Sequence, residues 1–198
     1  MSNFSDFFPA PGGGGGGGGG IPKYQEFIIS GTFTPTQALI DAGGRLAYFI
    51  VGGGTQGYNS SYGGAGGGVE YGYMTLTSIN SCIATLGAPG GSTGNGGNSI
   101  VAFSSAGGID ITAQGGVKQY GQYGSMRSQG LGASWANTIA SSAWRSSAGN
   151  GVFGYAAGGA SGADSDWGGV SVARANSGQG SPFGVVAGAG FIRLTWFE

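Results

Sequence analysis

The sequence has no histidine, a single cysteine and very little charge. Only 8% of its 198 residues are Asp, Glu, Lys or Arg, against roughly 25% in an ordinary soluble domain. Without histidine, Ser–His triads and histidine acid–base catalysis are excluded. Cys82 alone provides neither an intrachain disulfide nor the ligand set of a structural zinc site. We therefore expect no enzyme activity, no metal and no cofactor.

Long apolar runs, basic patches and targeting signals are missing as well. No segment approaches the ~18 apolar residues of a membrane-spanning helix, so membrane insertion is not expected. The N-terminus has no basic stretch followed by an apolar one, so a secretory signal is not predicted. Seven scattered cations in a chain of net charge −1 argue against a nucleic-acid partner. The two carboxylates of Asp164 and Asp166 are read as solvated turn residues rather than as a calcium site.

Glycine is what the sequence has in excess. It supplies 49 residues, a quarter of the chain, and exceeds its usual share more than threefold. Hydrophobic residues at 39% and aromatic residues at 12% nevertheless exceed what disordered chains contain. One folded domain of ordinary size is expected.

The N-terminal part of the chain differs from the rest. Residues 12–20 are nine consecutive glycines, a composition typical of a flexible linker. The preceding residues 1–11 contain three phenylalanines with no core of their own, and either pack on the domain or insert into another subunit: Phe4, Phe7 and Phe8. We favour the second interpretation. The predicted organisation is an anchor at residues 1–11, a linker at 12–20 and a β domain at 21–198.

Short apolar or alternating stretches between turn residues predict an all-β fold. The predicted strands are residues 24–29, 30–35, 45–51, 69–77, 82–86, 99–103, 109–113, 183–186 and 191–197. Residues 45–51 form a nearly continuous apolar run closed by three glycines, which suits a strand buried on both faces. Residues 69–77 alternate and place four side chains on one side: Tyr71, Tyr73, Thr75 and Thr77. Residues 36–42 suit a single helical turn, residues 135–145 are a weak helix candidate, and the class is a sandwich or jelly-roll.

Glycine-rich stretches interrupt the strands at residues 87–97, 107–108, 115–116, 158–162 and 178–190. Two interpretations remain open. They are either exposed loops or extended segments laid side by side so closely that a Cβ would not fit.

Several short motifs follow one another along the chain in an order that is also found in a known family. A Ser-Gly-Thr-Phe-Thr-Pro run at residues 30–35 precedes an apolar strand ending in three glycines at 52–54. Further landmarks lie at residues 74–77, 83–91, 99–104, 111–116 and 188–196. This order resembles the glycine-rich domain at the C-termini of phage tail-fibre proteins, over residues 24–116 and 184–197. The resemblance implies a virion protein, often trimeric, near a receptor-binding end, and it brings no catalytic residues.

Aromatic side chains among Gly, Ser and Asn are the candidate receptor contacts. They are Tyr58, Tyr62, Tyr120, Tyr123, Trp135, Trp144, Tyr155 and Trp167. Flat rings with polar edges suit both sugars and proteins at low conformational cost. Packing inside the domain or at a subunit interface is the competing interpretation.

The high glycine content leaves few side chains to bury in a core and therefore predicts self-association. A quarter of the chain contributes no side chain to a core, while ordering each residue costs roughly 1–2 kcal/mol. We therefore expect an oligomer. The resemblance to tail-fibre domains implies that it is a homotrimer, held in a virion through residues 1–20 and contacting a host-surface glycan or protein. A capsid decoration protein is the alternative, and an extracellular glycine-rich structural or ice-binding protein is a third. Cys82 is expected to be an inert, buried thiol.

Overall fold

The computed structural model describes residues 20–57, 64–91, 93–116, 175–181 and 184–198. Within these ranges the protein is built mainly of strands, which confirms the all-β class. The strands are β1 (Pro22–Phe27), β2 (Gly31–Phe33), β3 (Arg45–Val51), β4 (Val69–Thr75), β5 (Cys82–Thr85), β6 (Ser99–Val101), β7 (Ile111–Ala113) and β8 (Phe191–Phe197). The helical pieces are α1 (Gln37–Asp41) and a 3₁₀ turn (Phe103–Ala106).

The strands form two antiparallel, four-stranded sheets. The first has the order β1-β8-β3-β4 and the second the order β2-β5-β6-β7. In the first sheet Leu46 lies opposite both Met74 and Trp196. In the second sheet Thr32 lies opposite Ile83. Although β1 and β2 are neighbours along the chain, they belong to different sheets.

Inward side chains of both sheets meet in one apolar core. Phe33 of the second sheet packs edge-on against Trp196 of the first, with ring centroids 5.3 Å apart. The core also contains Leu46, Ile50, Cys82, Val101, Phe103, Ile192 and Leu194. On the opposite face of the first sheet, a second buried cluster contains Phe49, Val51, Val69 and Phe191. Strand β3 is therefore buried on both faces, as its apolar run predicts.

Several of the predicted strands need correction. Strand β1 lies two residues earlier than the predicted 24–29, β2 is shorter than the predicted 30–35, β4 and β5 end before the predicted residues 77 and 86, and β7 begins two residues after the predicted 109. The strand predicted at residues 183–186 is wrong for residues 184–186, which form a turn in which Gly184 has a φ of +82°. The Ser181 hydroxyl closes this turn by donating to the carbonyl oxygen of Val185. The strand predicted at residues 99–103 ends two residues early, because Phe103 begins the 3₁₀ turn.

The predicted turn at residues 36–42 is confirmed as the short helix α1. The Thr36 hydroxyl caps it by accepting a hydrogen bond from the backbone N–H of Leu39 at 3.1 Å. Gly43 and Gly44 follow with φ angles of +97° and +68°, a conformation that favours glycine, and so end the helix.

Glycine-rich segments continue from the strands and pack side by side. Residues 52–57, 64–68, 87–90, 96–97, 114–116, 178–181 and 188–190 form what we call the glycine bundle. Their backbones are joined across the bundle: the N–H of Gly53 donates to Gly97 (2.9 Å) and that of Gly116 to Gly53 (2.8 Å). A Cβ on Gly53 would lie inside 3.0 Å of the Ala88 carbonyl oxygen. The closely packed interpretation therefore holds for these segments, whereas residues 158–162 lie outside the described residues.

A buried serine joins the bundle to the sheets. Ser99 is fully buried at the start of β6. Its hydroxyl donates to the carbonyl oxygen of Val51 at 2.6 Å and accepts from the N–H of Gly87 at 2.9 Å. The Ser99 side chain thus connects the end of β3 with the start of β6 and with the bundle segment at residues 87–90.

The two-sheet body has distinct ends. Val51 and Phe191 lie opposite each other where β3 and β8 meet the glycine bundle. At the other end of β8, Phe197 lies opposite Pro22. We call this second end, which carries Pro22 and Phe197, the terminal end.

Candidate functional site

The glycine bundle ends in a defined tip formed by Gly57, Gly64 and Ser181. The N–H groups of both glycines donate to the carbonyl oxygen of Ser181, at 2.9 and 2.8 Å. Next to them, the buried hydroxyl of Thr55 accepts from the N–H of Ala65 at 2.8 Å. Residues 58–63 connect Gly57 to Gly64, so this segment leaves and rejoins the described chain at the bundle tip.

All the residues singled out as contacts from the sequence lie outside the described residues. They are Phe4, Phe7, Phe8, Tyr58, Tyr62, Tyr120, Tyr123, Trp135, Trp144, Tyr155 and Trp167. The same holds for Asp164 and Asp166. The structure describes only the flanks of these segments, and the contact roles stay predictions.

An exposed polar and aromatic cluster does lie within the described part, on the outer face of the first sheet. Tyr71 and Tyr73 of β4 are 53% and 44% exposed, and Thr75 is exposed on the same side. Arg45 lies directly opposite Thr75 on β3. Its guanidinium carbon is 4.7 Å from the centre of the Tyr73 ring. We call Arg45, Tyr71, Tyr73 and Thr75 the Arg45 cluster.

Across the same face, a second arginine has a different environment. Arg193 of β8 is paired with Glu26 of β1, to which its Nε donates at 2.7 Å. Its guanidinium also lies 5.8 Å from the ring of Tyr24. Among the residues that the structure describes, Arg45 has no such carboxylate partner. Arg193 is neutralised, whereas Arg45 presents its charge to solvent.

The outer face of the second sheet is uncharged. Thr32 lies opposite Ile83, and Ile100 lies opposite both Thr85 and Thr112. Ile83 is 64% exposed. Hydroxyl and aliphatic side chains therefore cover a surface that carries no charge at these five positions.

A third polar cluster gathers around Glu198, the last residue of the chain. The Thr36 hydroxyl donates to its Oε1 at 2.5 Å, and the indole N–H of Trp196 donates to the same oxygen at 2.9 Å. These hydrogen bonds hold the pKa of Glu198 below its ordinary value, and Lys23 contributes in the same direction. The carboxylate ties α1 to β8.

The one thiol in the chain is buried, as predicted for Cys82. Burial raises the pKa of Cys82, and it outweighs the opposing hydrogen bonds, of which that from Ser105 is the larger. A thiol that stays protonated is a poor nucleophile.

Within the described ranges, no group of three or more His, Cys, Asp or Glu side chains could hold a metal ion. The same ranges contain no helix of the length and apolarity that crossing a bilayer requires.

The sequence indicated part of the Arg45 cluster but not all of it. Alternation along residues 69–77 predicts that Tyr71, Tyr73, Thr75 and Thr77 share a face. This is confirmed for the first three, whereas β4 ends at Thr75, before Thr77. Arg45 was not singled out, because only the pairing of β3 with β4 brings it beside Tyr73.

No protein-family profile, curated protein or solved structure matches this chain. Function is therefore inferred from its own residues and their geometry.

Proposed function

We propose that this chain is a structural protein of a phage virion, of the tail-fibre kind, that attaches the particle to the host surface without catalysis. As part of this proposal, the two sheets and the core between them form a glycine-rich β-sandwich of jelly-roll type. The observation that supports the proposal best is that the N-terminal segment and residues 58–63 join the described chain at opposite ends.

The N-terminal segment joins at the terminal end. Ile21 and Glu198 exchange backbone hydrogen bonds there, at 2.5 and 3.1 Å. In our proposal other virion proteins hold residues 1–20 through Phe4, Phe7 and Phe8. The fixed connection between Ile21 and the last strand would then orient the whole body relative to the particle.

The bundle tip lies at the far end from this attachment. The chain from Arg45 to Gly57 runs through β3 and one bundle segment, and about 12 extended residues of roughly 3.2 Å each have a contour length of about 40 Å. A host glycan or protein would be met there first, and Tyr58 and Tyr62 follow directly in the connecting segment. Aromatic rings at such a point suit a contact surface.

Two variants test the attachment through residues 1–20 and the contact through residues 58–63 separately. A chain lacking residues 1–19 should bind whole bacterial cells but fail to join particles. The double variant Tyr58→Ala, Tyr62→Ala should join particles but adsorb about tenfold less, since two aromatic contacts contribute at least ~1.4 kcal/mol. The variant Tyr24→Ala is the matched control, because Tyr24 is exposed on β1 and away from the bundle tip.

The location in the particle decides between the two virion roles. Gold labelling of the chain on phage tails is expected. Labelling on heads would instead favour a capsid decoration protein. Adsorption unchanged in the double tyrosine variant would count against a contact role for residues 58–63.

A further inference from the structure

The Arg45 cluster lies on the outer face of the first sheet, on β3 and the edge strand β4, and shares no residue with the bundle tip. We propose that it is a binding site for a carboxylate-bearing sugar unit of an acidic polysaccharide. This inference concerns a different surface from the contact proposed above. It stands or falls independently of whether the chain belongs to a virion.

The Arg45 cluster carries a positive charge. The guanidinium of Arg45 is exposed, and in the described part of the chain no carboxylate neutralises it. Glu26, a carboxylate on the same face, is already paired with Arg193. A guanidinium offers two parallel N–H donors that match the two oxygens of a carboxylate. An anionic group is therefore the complement of this position.

The Tyr73 ring orients the side chain of Arg45. At 4.7 Å from the ring centre, the guanidinium of Arg45 lies within the range of a cation–π contact. This contact holds the long side chain against the sheet. Less side-chain entropy is then lost when a carboxylate binds.

The spacing of the two tyrosine rings along β4 suits a sugar chain. Tyr71 and Tyr73 are two residues apart on one strand, so their side chains leave the same face about 7 Å from each other. Strand β4 is also at the edge of its sheet. Exposed rings with polar hydroxyl edges suit the apolar faces and hydroxyl groups of a sugar. The Thr75 hydroxyl, opposite Arg45, adds a further hydrogen-bonding group.

The test is a calorimetric titration of the purified full chain. The probe is oligogalacturonate, and the matched neutral ligand is the same oligomer with its carboxylates methyl-esterified. Oligogalacturonate should bind at least about tenfold more tightly than the ester, because the hydrogen bonds to a charged group are lost in the ester. Added salt should weaken binding of the acidic oligomer only.

Variants locate the site. Arg45→Gln and Tyr73→Ala should each lower the affinity for oligogalacturonate about tenfold. Arg193→Gln is the matched control, since its guanidinium is occupied by Glu26, and should change the affinity less than about twofold. Thermal melting of each variant checks the fold. If Arg45→Gln does not fold, Arg45→Lys takes its place and should lose the two-point contact while keeping the charge.

Several results would overturn the proposal. Equal binding of the acid and its ester would remove the role of charge, and equal losses in the Arg45 and Arg193 variants would remove the location. Absence of binding to both oligogalacturonate and polysialic acid would refute the site outright. If a single-stranded oligonucleotide binds equally well and Tyr73→Ala has no effect, the surface attracts polyanions in general and is not a sugar site.

Discussion

Charged side chains are few in this protein, and several of those on or next to the first sheet have specific neighbours. Glu26 pairs with Arg193, Arg45 stacks on Tyr73, and Glu198 collects two hydrogen bonds and lies 4.0 Å from Lys23. With charge at 8% of the chain, the properties that depend on pH trace back to few groups. Glu198 is the clearest example, because its carboxylate connects the cap of α1 to the last strand.

The variant Glu198→Gln should reduce the dependence of stability on acid pH. The native pKa of Glu198 is lowered by the hydrogen bonds from Thr36 and Trp196, so its contribution is present above the unfolded pKa of about 4.3 and is lost as the pH falls through the lower native value. Melting temperatures between pH 7 and pH 2.5 measure this. The wild type should lose more stability over that range than the variant.

Thr36→Ser serves as the control for the Glu198 prediction, because serine keeps the hydroxyl that caps α1 and reaches the carboxylate. Its pH profile should match the wild type. Parallel profiles for wild type and Glu198→Gln would show that the carboxylate contributes nothing to acid stability.

Cys82 should not react with a thiol reagent in the folded protein. It is fully buried, and burial raises the pKa of its thiol, so access and thiolate are both lacking. Since it is the one cysteine in the sequence, absorbance of the released thiolate reports this residue alone. Reaction should appear only with unfolding in guanidinium, and stoichiometric labelling of the native protein would contradict the assignment.

At the scale of elements, the strands were predictable and the glycine bundle was not. An apolar run bounded by turn residues predicts β3 over residues 45–51, and the structure agrees in both bounds. Local sequence patterns do not predict the glycine bundle, because its segments form hydrogen bonds with residues far along the chain. The N–H of Gly54, for example, donates to the carbonyl oxygen of Gly188. Sequence left loops and packed segments as equal alternatives. The choice depends on backbone neighbours that no local pattern encodes.

Two glycine-to-alanine variants test whether the bundle is packed backbone to backbone. Gly53→Ala would bring its Cβ inside 3.0 Å of the Ala88 carbonyl oxygen and should lower the free energy of unfolding by about 1–3 kcal/mol. Gly94→Ala meets nothing within 4 Å and has no positive φ. It should be neutral or up to about 1 kcal/mol stabilising. Urea denaturation compares them, and equal effects would mean that the segments are not in contact.

At the scale of the whole molecule, pairing across long stretches of sequence sets the arrangement. Strand β1 pairs with β8, near the two ends of the described chain, and this makes the terminal end. Sequence patterns identified both strands but gave no information on their partner. For the same reason the Arg45 cluster was predictable only in part: alternation gave Tyr71, Tyr73 and Thr75, whereas Arg45 required the register of β3 with β4. The contact residues predicted outside the described ranges remain predictions.

We expect the protein to be a homotrimer whose subunits meet through the uncharged face of the second sheet. Ile83→Lys should dissociate it, because an unpaired charge would be buried between chains. Val186→Lys is the control, since Val186 is 73% exposed in the turn that follows Ser181 at the bundle tip. Sedimentation at micromolar concentration should give a trimer for wild type and control and a smaller species for Ile83→Lys. A wild-type monomer with a sharp melting transition would refute self-association.

We expect the glycine bundle to lower the heat capacity change of unfolding. Its segments bury peptide groups bonded to one another and little hydrocarbon. Hydration of exposed polar groups lowers the heat capacity of the unfolded state, whereas hydration of apolar groups raises it. We expect calorimetry to give a value per residue below the usual 12–15 cal/mol/K. The free energy of unfolding should then vary unusually little with temperature. Cooling should lower it less than in proteins whose cores consist mainly of apolar side chains.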